Sequence, residues 1–250
     1  SLGISSSYIK QSNLGAPSSF NSYITMSPLG IAYNEDGTPA QYINSTGDKN
    51  PLYNAQYYKS NTDTDIVRLN GYFDVHPFKG FSYKFQFGYY DRFQESGSYK
   101  QKEFTGGGAA GSITDSKLDH YTLENILNYK VPFTNKDFSL NLTAVQSYEH
   151  QISTSLGFGS DNVPIDSFWW NMIADGENSS MTRSVSEYVV LSYLGRAQFS
   201  YKERYIVNAA IRTDGSSRFG KNNKWGYFPS VSAAWRISQE PWMKNAKAVS

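Results

Sequence analysis

The sequence predicts an all-β protein: an antiparallel up-and-down transmembrane β-barrel, present as about seven to eight strands of a larger barrel. Three observations predict it. Apolar and polar residues alternate with period two through several segments, and a strand sends successive side chains to opposite faces. The connections between those segments alternate in length, short then long. Membrane barrels show that asymmetry, with short turns on one side and longer loops on the other, and a soluble sandwich has no reason to sort loops by end. Composition agrees: 16% of residues are aromatic and 18% charged, against roughly 25% charged in soluble domains.

Residues 1–11 alternate weakly, with Leu2, Ile4 and Tyr8 against Gly3 and Ser5, and read as the upper end of a strand. Residues 12–61 are rich in Ser, Asn, Pro, Gly and Tyr and carry no period. Asn34-Glu35-Asp36-Gly37 and Gly47-Asp48 are turn signals inside that stretch. So long a segment without a pattern reads as a functional or disordered loop. From Asp63 the pattern sharpens: Asp65, Val67, Leu69, Gly71, Phe73 and Val75 alternate with Ile66, Arg68, Asn70, Tyr72 and Asp74. His76-Pro77-Phe78-Lys79-Gly80 is a turn. Phe81, Tyr83, Phe85, Phe87 and Tyr89 then alternate with Ser82, Lys84, Gln86 and Gly88, the cleanest strand signal in the chain.

A Gly-rich loop is expected over 95–117, around Gly106-Gly107-Gly108. It is no phosphate loop, because neither Lys-Ser/Thr nor a helical pattern follows. Tyr121, Leu123, Leu127, Tyr129 and Val131 form the next strand, 132–137 a turn, and Phe138, Leu140, Leu142 and Ala144 its partner. A second long loop is expected over 150–184. Val189, Leu191, Tyr193, Ala197 and Phe199 follow, and Tyr201-Lys202-Glu203-Arg204 turns into the hairpin Tyr205–Glu240. Its first strand sets Tyr205, Val207, Ala209 and Ile211 against Ile206, Asn208, Ala210 and Arg212. Its second sets Tyr227, Val231, Ala233, Trp235 and Ile237 against Ser230, Ser232, Ala234 and Arg236. Pro229 and Gly226 suggest a bulge, and Pro241–Lys244 reads as the next short connection.

Other classes are disfavoured. The net charge of +1 gives no electrostatic footprint for nucleic acid. No apolar run approaches the roughly 20 residues of a membrane helix, whereas a membrane strand needs only about 9–11 with one apolar face. There is no cysteine, hence no disulfide framework and no thiolate site. His76, His120 and His150 lack metal-ligand spacing. No nucleophile elbow or other catalytic constellation stands out, so no enzyme, metal or cofactor is expected.

The run Arg212-Thr213-Asp214-Gly215-Ser216-Ser217-Arg218-Phe219-Gly220, followed by Trp225-Gly226-Tyr227-Phe228-Pro229-Ser230-Val231-Ser232-Ala233, resembles the barrel signature of TonB-linked outer-membrane transporters of the SusC/RagA type. The match continues through Gly195-Arg196, Tyr201–Tyr205 and Trp235–Glu240. Thr213 departs from it, where the family more often has a second large or basic residue. Tyr33–Gly37 and Asn50–Tyr53 resemble loop motifs of the same family. The resemblance implies residence in a bacterial outer membrane, among its lipid. It also implies TonB-energised import of an oligosaccharide or peptide, and partnership with a SusD-like surface lipoprotein. Members carry an N-terminal plug, through which the TonB complex acts, and no plug is recognisable here. The expected organisation is therefore one partial TonB-dependent receptor barrel domain over 1–250. In it, 1–61 is a strand end plus a long extracellular loop, and 62–245 is a strand meander. The competing readings are a soluble carbohydrate-binding β-sandwich and a complete eight-stranded barrel with a structural or adhesive role.

Two sets of side chains are candidate sites. Asp166–Ile173 looks helical, with Asp166 or Ser167 able to cap it and Phe168, Trp169, Met172 and Ile173 on one face. Phe168, Trp169 and Trp170 are candidates to stack on substrate or anchor a partner; the plainer role is to pack the loop onto its neighbours. Lys84, Arg196, Arg212 and Arg236, with Arg68, fall on the less apolar face of their strands, which in a large barrel lines the lumen. There they meet solute or plug, or pair with neighbouring acids. Arg218, Lys221 and Lys224 make a basic tip, read most simply as a solvated loop.

Overall fold

The computed structural model describes residues 1–15, 20–27, 29–45, 47–220 and 222–243. Lys221 and Lys244, named above, lie outside them. Eight strands form one sheet in sequence order: β1 (Leu2–Leu14), β2 (Tyr58–Val75), β3 (Phe81–Lys100), β4 (Ala110–Val131), β5 (Phe138–Asp161), β6 (Glu177–Tyr201), β7 (Tyr205–Ser216) and β8 (Trp225–Trp235). Every neighbouring pair is antiparallel. β1 and β8 do not pair, so the sheet is open. The meander is as the alternation predicts, and the N-terminal segment is a full strand.

Register carries one parity across the whole sheet. Phe81, Tyr129, Leu142, Ala197, Ala209 and Val231 stand side by side. Phe85, Phe73 and Leu2 continue the same face toward β1. This apolar face has no covering layer: Leu2 is 75% exposed, Val231 79% and Tyr227 68%. Among the described residues only seven hydrophobic side chains are buried, far too few for a sandwich, which buries one face of each sheet. A chain of rings edges the apolar face at the short-turn end. Phe138 stacks on Tyr201 at 4.9 Å, Tyr201 on Tyr205 at 6.2 Å, and Tyr205 on Trp235 at 6.3 Å. Tyr121–Tyr148 and Tyr193–Trp225 contacts mark its other edge. Aromatic girdles of that kind flank the lipid-facing band of membrane barrels.

The short turns are tightly specified. Gly80 has φ +86, and a Cβ there would come within 2.5 Å of the Lys130 carbonyl oxygen, so only glycine closes that turn. Lys202 and Glu203 both have positive φ between paired Tyr201 and Tyr205. This is the turn geometry whose twist matches a two-stranded hairpin.

At the other end the strands run further than the sequence pattern suggests. β3 to β6 are 20, 22, 24 and 25 residues long, about twice what a membrane crossing needs. They absorb the edges of the loops expected over 95–117 and 150–184, leaving connections 101–109 and 162–176. The reason is visible in the register. Thr62, Ser96, Thr114, Gly157 and Thr182 lie in a row on one face. Asp63, Glu95, Asp115, Leu156 and Arg183 lie beside them on the other. Acids and a cation thus interrupt the face that also carries Ile113, Phe158 and Met181, and the alternation is broken there. β7 likewise continues through Asp214 and Gly215, which pair with Gly226 and Trp225. The bulge expected at Pro229 is absent: Pro229 pairs with Ile211 in unbroken register. The one register shift lies between Gly159 and Asp161.

The connection 15–57 also has structure. It holds α1 (Phe20–Ile24), α2 (Pro51–Tyr57) and the bridges Tyr33–Pro39 and Tyr42–Lys49. Asn50, fully buried, ties it together. Its amide donates to the carbonyls of Ala32 and Ala40 at 2.7 and 2.8 Å, and its Oδ1 caps α2 by accepting from Leu52 N at 3.0 Å.

Candidate functional site

The polar face carries the groups able to hold a solute. Between β1 and β4 it is cut by a fissure of about 310 Å³, lined by Asn70, Tyr72, Gln86, Gly88, Thr122 and Glu124 among others. Strand pairing builds it. Tyr72, Gln86 and Glu124 share one register row, and Asn70, Gly88 and Thr122 the next. Gly88 is the floor: a Cβ there would meet Thr122 Oγ1 at 2.8 Å and Asn70 Oδ1 at 3.4 Å. The two polar groups thus lean toward each other across the missing side chain. Tyr72 forms a flank, its ring lying over Gly3, with Lys84 Nζ 5.0 Å from the ring centre.

One row further toward the long connections runs a ledge of larger groups. Arg68, Tyr90, His120, Gln151 and Tyr188 stand side by side on five strands. Arg68 lies over the Tyr90 ring at 5.5 Å. Glu149 is held between His120 Nε2 at 3.2 Å and the Tyr188 hydroxyl, which donates at 2.8 Å. Arg218 stacks on Tyr188 at 4.0 Å, so the basic tip is partly folded onto the wall. Sequence reasoning passed over both fissure and ledge. The signal was the polar residue in each alternating pair, but which of these meet across strands depends on loop lengths that periodicity does not set.

The predicted cations are not brought together. Lys84, Arg196 and Arg212 do share the polar face. Arg196 reaches Asn208 at 3.4 Å, and Arg212 Nε pairs with Asp214 at 2.9 Å. Arg236 lies past the end of β8. There the chain turns through a 3₁₀ segment, Ile237–Gln239, and brings Glu240 back onto Tyr205, Trp235 and Arg204 at 2.7, 3.1 and 3.2 Å. The tyrosine and tryptophan donors hold the Glu240 carboxyl below its ordinary range.

The aromatic segment sits on the other side of the wall. Asp166–Asp175 is 3₁₀ rather than α-helical and is broken at Trp169, which has φ 53 and ψ −134. The break changes the expected face: Phe168 points out at 54% exposure, while Trp169, Trp170 and Met172 pack on the buried cluster Tyr99, Ala109, Val163 and Ile173. Glycines make room for it. A Cβ at Gly97 would lie 2.2 Å from the Trp170 ring, and one at Gly111 2.4 Å from Ile173. The Tyr99 hydroxyl donates to Asp166 Oδ1 at 2.8 Å, and burial with that carboxylate pushes its pKa well up. Lys59 Nζ lies 3.6 Å over Trp169. All of these strand positions share the parity of Phe85. The Trp pair and the fissure are therefore on opposite faces.

No group of His, Asp or Glu among the described residues could hold a metal ion. A shallow depression of about 570 Å³ on the apolar face is lined by Leu142, Ala197, Ala209 and Val231 among others and offers a solute no convergent polar groups.

The architecture defines a class: an open, antiparallel up-and-down wall of membrane-barrel type, apolar on one face and polar on the other. The model of the TonB dependent receptor-like β-barrel family matches residues 4–245, and the chain belongs to that family, as the signature around Asp214 implies. It is 28% identical over 251 residues to TonB-dependent receptor P26 of Formosa agariphila, covering 96% of this chain and 25% of that receptor. The TonB-dependent receptor SusC of Bacteroides thetaiotaomicron is 30% identical over 114 residues, 46% of this chain and 11% of that one. Among solved structures, the RagAB peptide transporter superposes with a TM-score of 0.74 at 20% identity, over 84% of this chain and 24% of that one, a likeness of fold. The chain thus spans about a quarter of the length of the relatives it matches most fully.

Proposed function

We propose that this chain is part of the wall of a TonB-energised outer-membrane importer for a bulky nutrient, an oligosaccharide or peptide, working with a surface lipoprotein. The observation that carries it is the continuous apolar face with no covering layer, backed by a polar face that holds a fissure. In this reading the apolar face meets lipid and the polar face the lumen. The short turns are periplasmic. The strand extensions and the connections 15–57, 101–109, 162–176 and 217–224 stand outside the cell.

The position of Asp166–Asp175 refines the part assigned to its aromatics. They lie on the outer side of the extended wall, away from the lumen. Trp169 and Trp170 fasten the segment, and Phe168 with Ile165, 54% and 43% exposed, is the surface offered to a partner protein such as the lipoprotein. Membership of the family supports energised transport, and the plug and TonB contacts belong to the rest of the receptor.

Growth tests the reading. Deleting the gene that encodes the full receptor should abolish use of one complex nutrient, and the intact gene should restore it. Unimpaired growth on every glycan and peptide the cell otherwise uses would remove the import function.

A further inference from the structure

We propose that the fissure between β1 and β4 is a subsite for one uncharged sugar ring of a neutral oligosaccharide. The proposal rests on the importer reading, because it needs the polar face to line the lumen.

The lining has unspent hydrogen-bonding capacity. Among the described residues, the side chains of Asn70, Gln86, Thr122 and Glu124 take part in no hydrogen bond or ion pair, yet all four border the same space. A small pocket with a few convergent polar groups is the usual form of a ligand site, and about 310 Å³ is at the lower end of the roughly 300–1,000 Å³ such pockets span. The two amides donate and accept, the threonine hydroxyl does both, and the carboxylate only accepts. A ring bearing several hydroxyls satisfies that set, since each hydroxyl donates to Glu124 or an amide oxygen and accepts from an amide N–H. Tyr72 supplies an apolar flank for the C–H groups of the ring.

Other ligand classes fit less well. Extended peptides bind sheets chiefly by adding a strand at a free edge, and β2 and β3, which carry most of the fissure, are paired on both sides. An anionic sugar would bring its charge against Glu124, with Glu149 in the next row on the neighbouring strand. Two cations stand one row from the fissure, and both are drawn over rings, Lys84 over Tyr72 and Arg68 over Tyr90.

The test uses the full-length receptor, purified in detergent, on an array of neutral oligosaccharides, uronate- or sulfate-bearing oligosaccharides and short peptides. Neutral oligosaccharides should be retained. Glu124→Gln, which keeps the shape, and Gln86→Ala should each weaken that binding tenfold or more, with the barrel still folded by its heat-modifiable gel mobility. Asp91→Asn, on the opposite face, should leave it unchanged. Retention of acidic glycans or peptides alone, of no neutral glycan, or of neutral glycans with undiminished affinity in both variants overturns the subsite and leaves the importer reading standing. That reading fails on a separate result: nitroxide lipids quenching a fluorophore at position 86 and not one at position 87.

Discussion

The two halves of this wall are built on one register but answer to different surroundings. In the half near the short turns, Phe81 to Tyr89 alternate strictly with Ser82 to Gly88. Nothing among the described residues covers the apolar side, and rings in a row lie along it. In the half near the long connections one face is polar and the other mixes Glu95, Asp115 and Arg183 with Ile113, Phe158 and Met181, and a compact hydrophobic cluster around Tyr99 and Ile173 is closed by a connecting segment. Backbone pairing is continuous through both. The difference teaches that hydrogen bonding makes the sheet, while the solvent on each side chooses the residues. Hydrocarbon on one side and water on the other writes an unbroken period of two; water on both sides lets charges interrupt it.

Legibility followed that division. The hairpins joined at 76–80, 132–137 and 202–204 could be read with their faces, because each inward and outward residue differs in polarity. The extensions were harder, since Glu95, Asp115 and Arg183 interrupt the side that carries Ile113, Leu156 and Phe158. Helical spacing also misled at Phe168. It assumes a regular helix, whereas the backbone reverses at Trp169 to seat both indoles on Gly97 and Tyr99. The fissure was hidden for a third reason: Tyr72, Gln86 and Glu124 are neighbours only through pairing, and pairing is a property of loop lengths and not of any one segment.

The largest effect should come from placing a charge on the uncovered apolar side of the first half. Phe85→Arg should cost about 2–4 kcal/mol when the full-length receptor folds into lipid vesicles, the range for a cation at the lipid-facing midplane. Gln86→Arg, one residue away on the other face, should cost much less. Equal folding free energies for the two would erase the distinction between faces on which the comparison depends.

A smaller and local effect is expected in the second half. Ile173 is 5% exposed and closes the cluster over Gly111, so Ile173→Ala should cost about 2 kcal/mol, at the low end for such truncations. The loss should appear as opening of the connection 162–176, because satellite clusters open below the global free energy. Limited proteolysis should then cut there while the unfolding of the wall is unchanged. If the global midpoint instead falls as far as for Phe85→Arg, the halves form one cooperative unit and the comparison sharpens into a statement about sequence alone.

The smallest effect concerns the short-turn rim, where Glu240 joins β7, β8 and the turn before them. Its carboxylate accepts from Tyr205 and Trp235 and pairs with Arg204, and those donors lower its pKa in the folded chain. The sign follows from linkage. A carboxyl with a depressed folded pKa contributes stability that is fully present above its unfolded value of about 4.3 and is lost as pH falls through the lower folded value. The wild-type receptor should therefore lose thermal stability below about pH 4.3 faster than Glu240→Gln, which should be less stable at neutral pH and flatter across the same window. The difference between the two curves isolates this carboxyl from the others that titrate there. Parallel curves would mean that Glu240 is no better placed than an amide and that the aromatic row alone fastens the rim. Convergence at low pH would show that a charge also holds that end, where the chain turns back beneath Trp235.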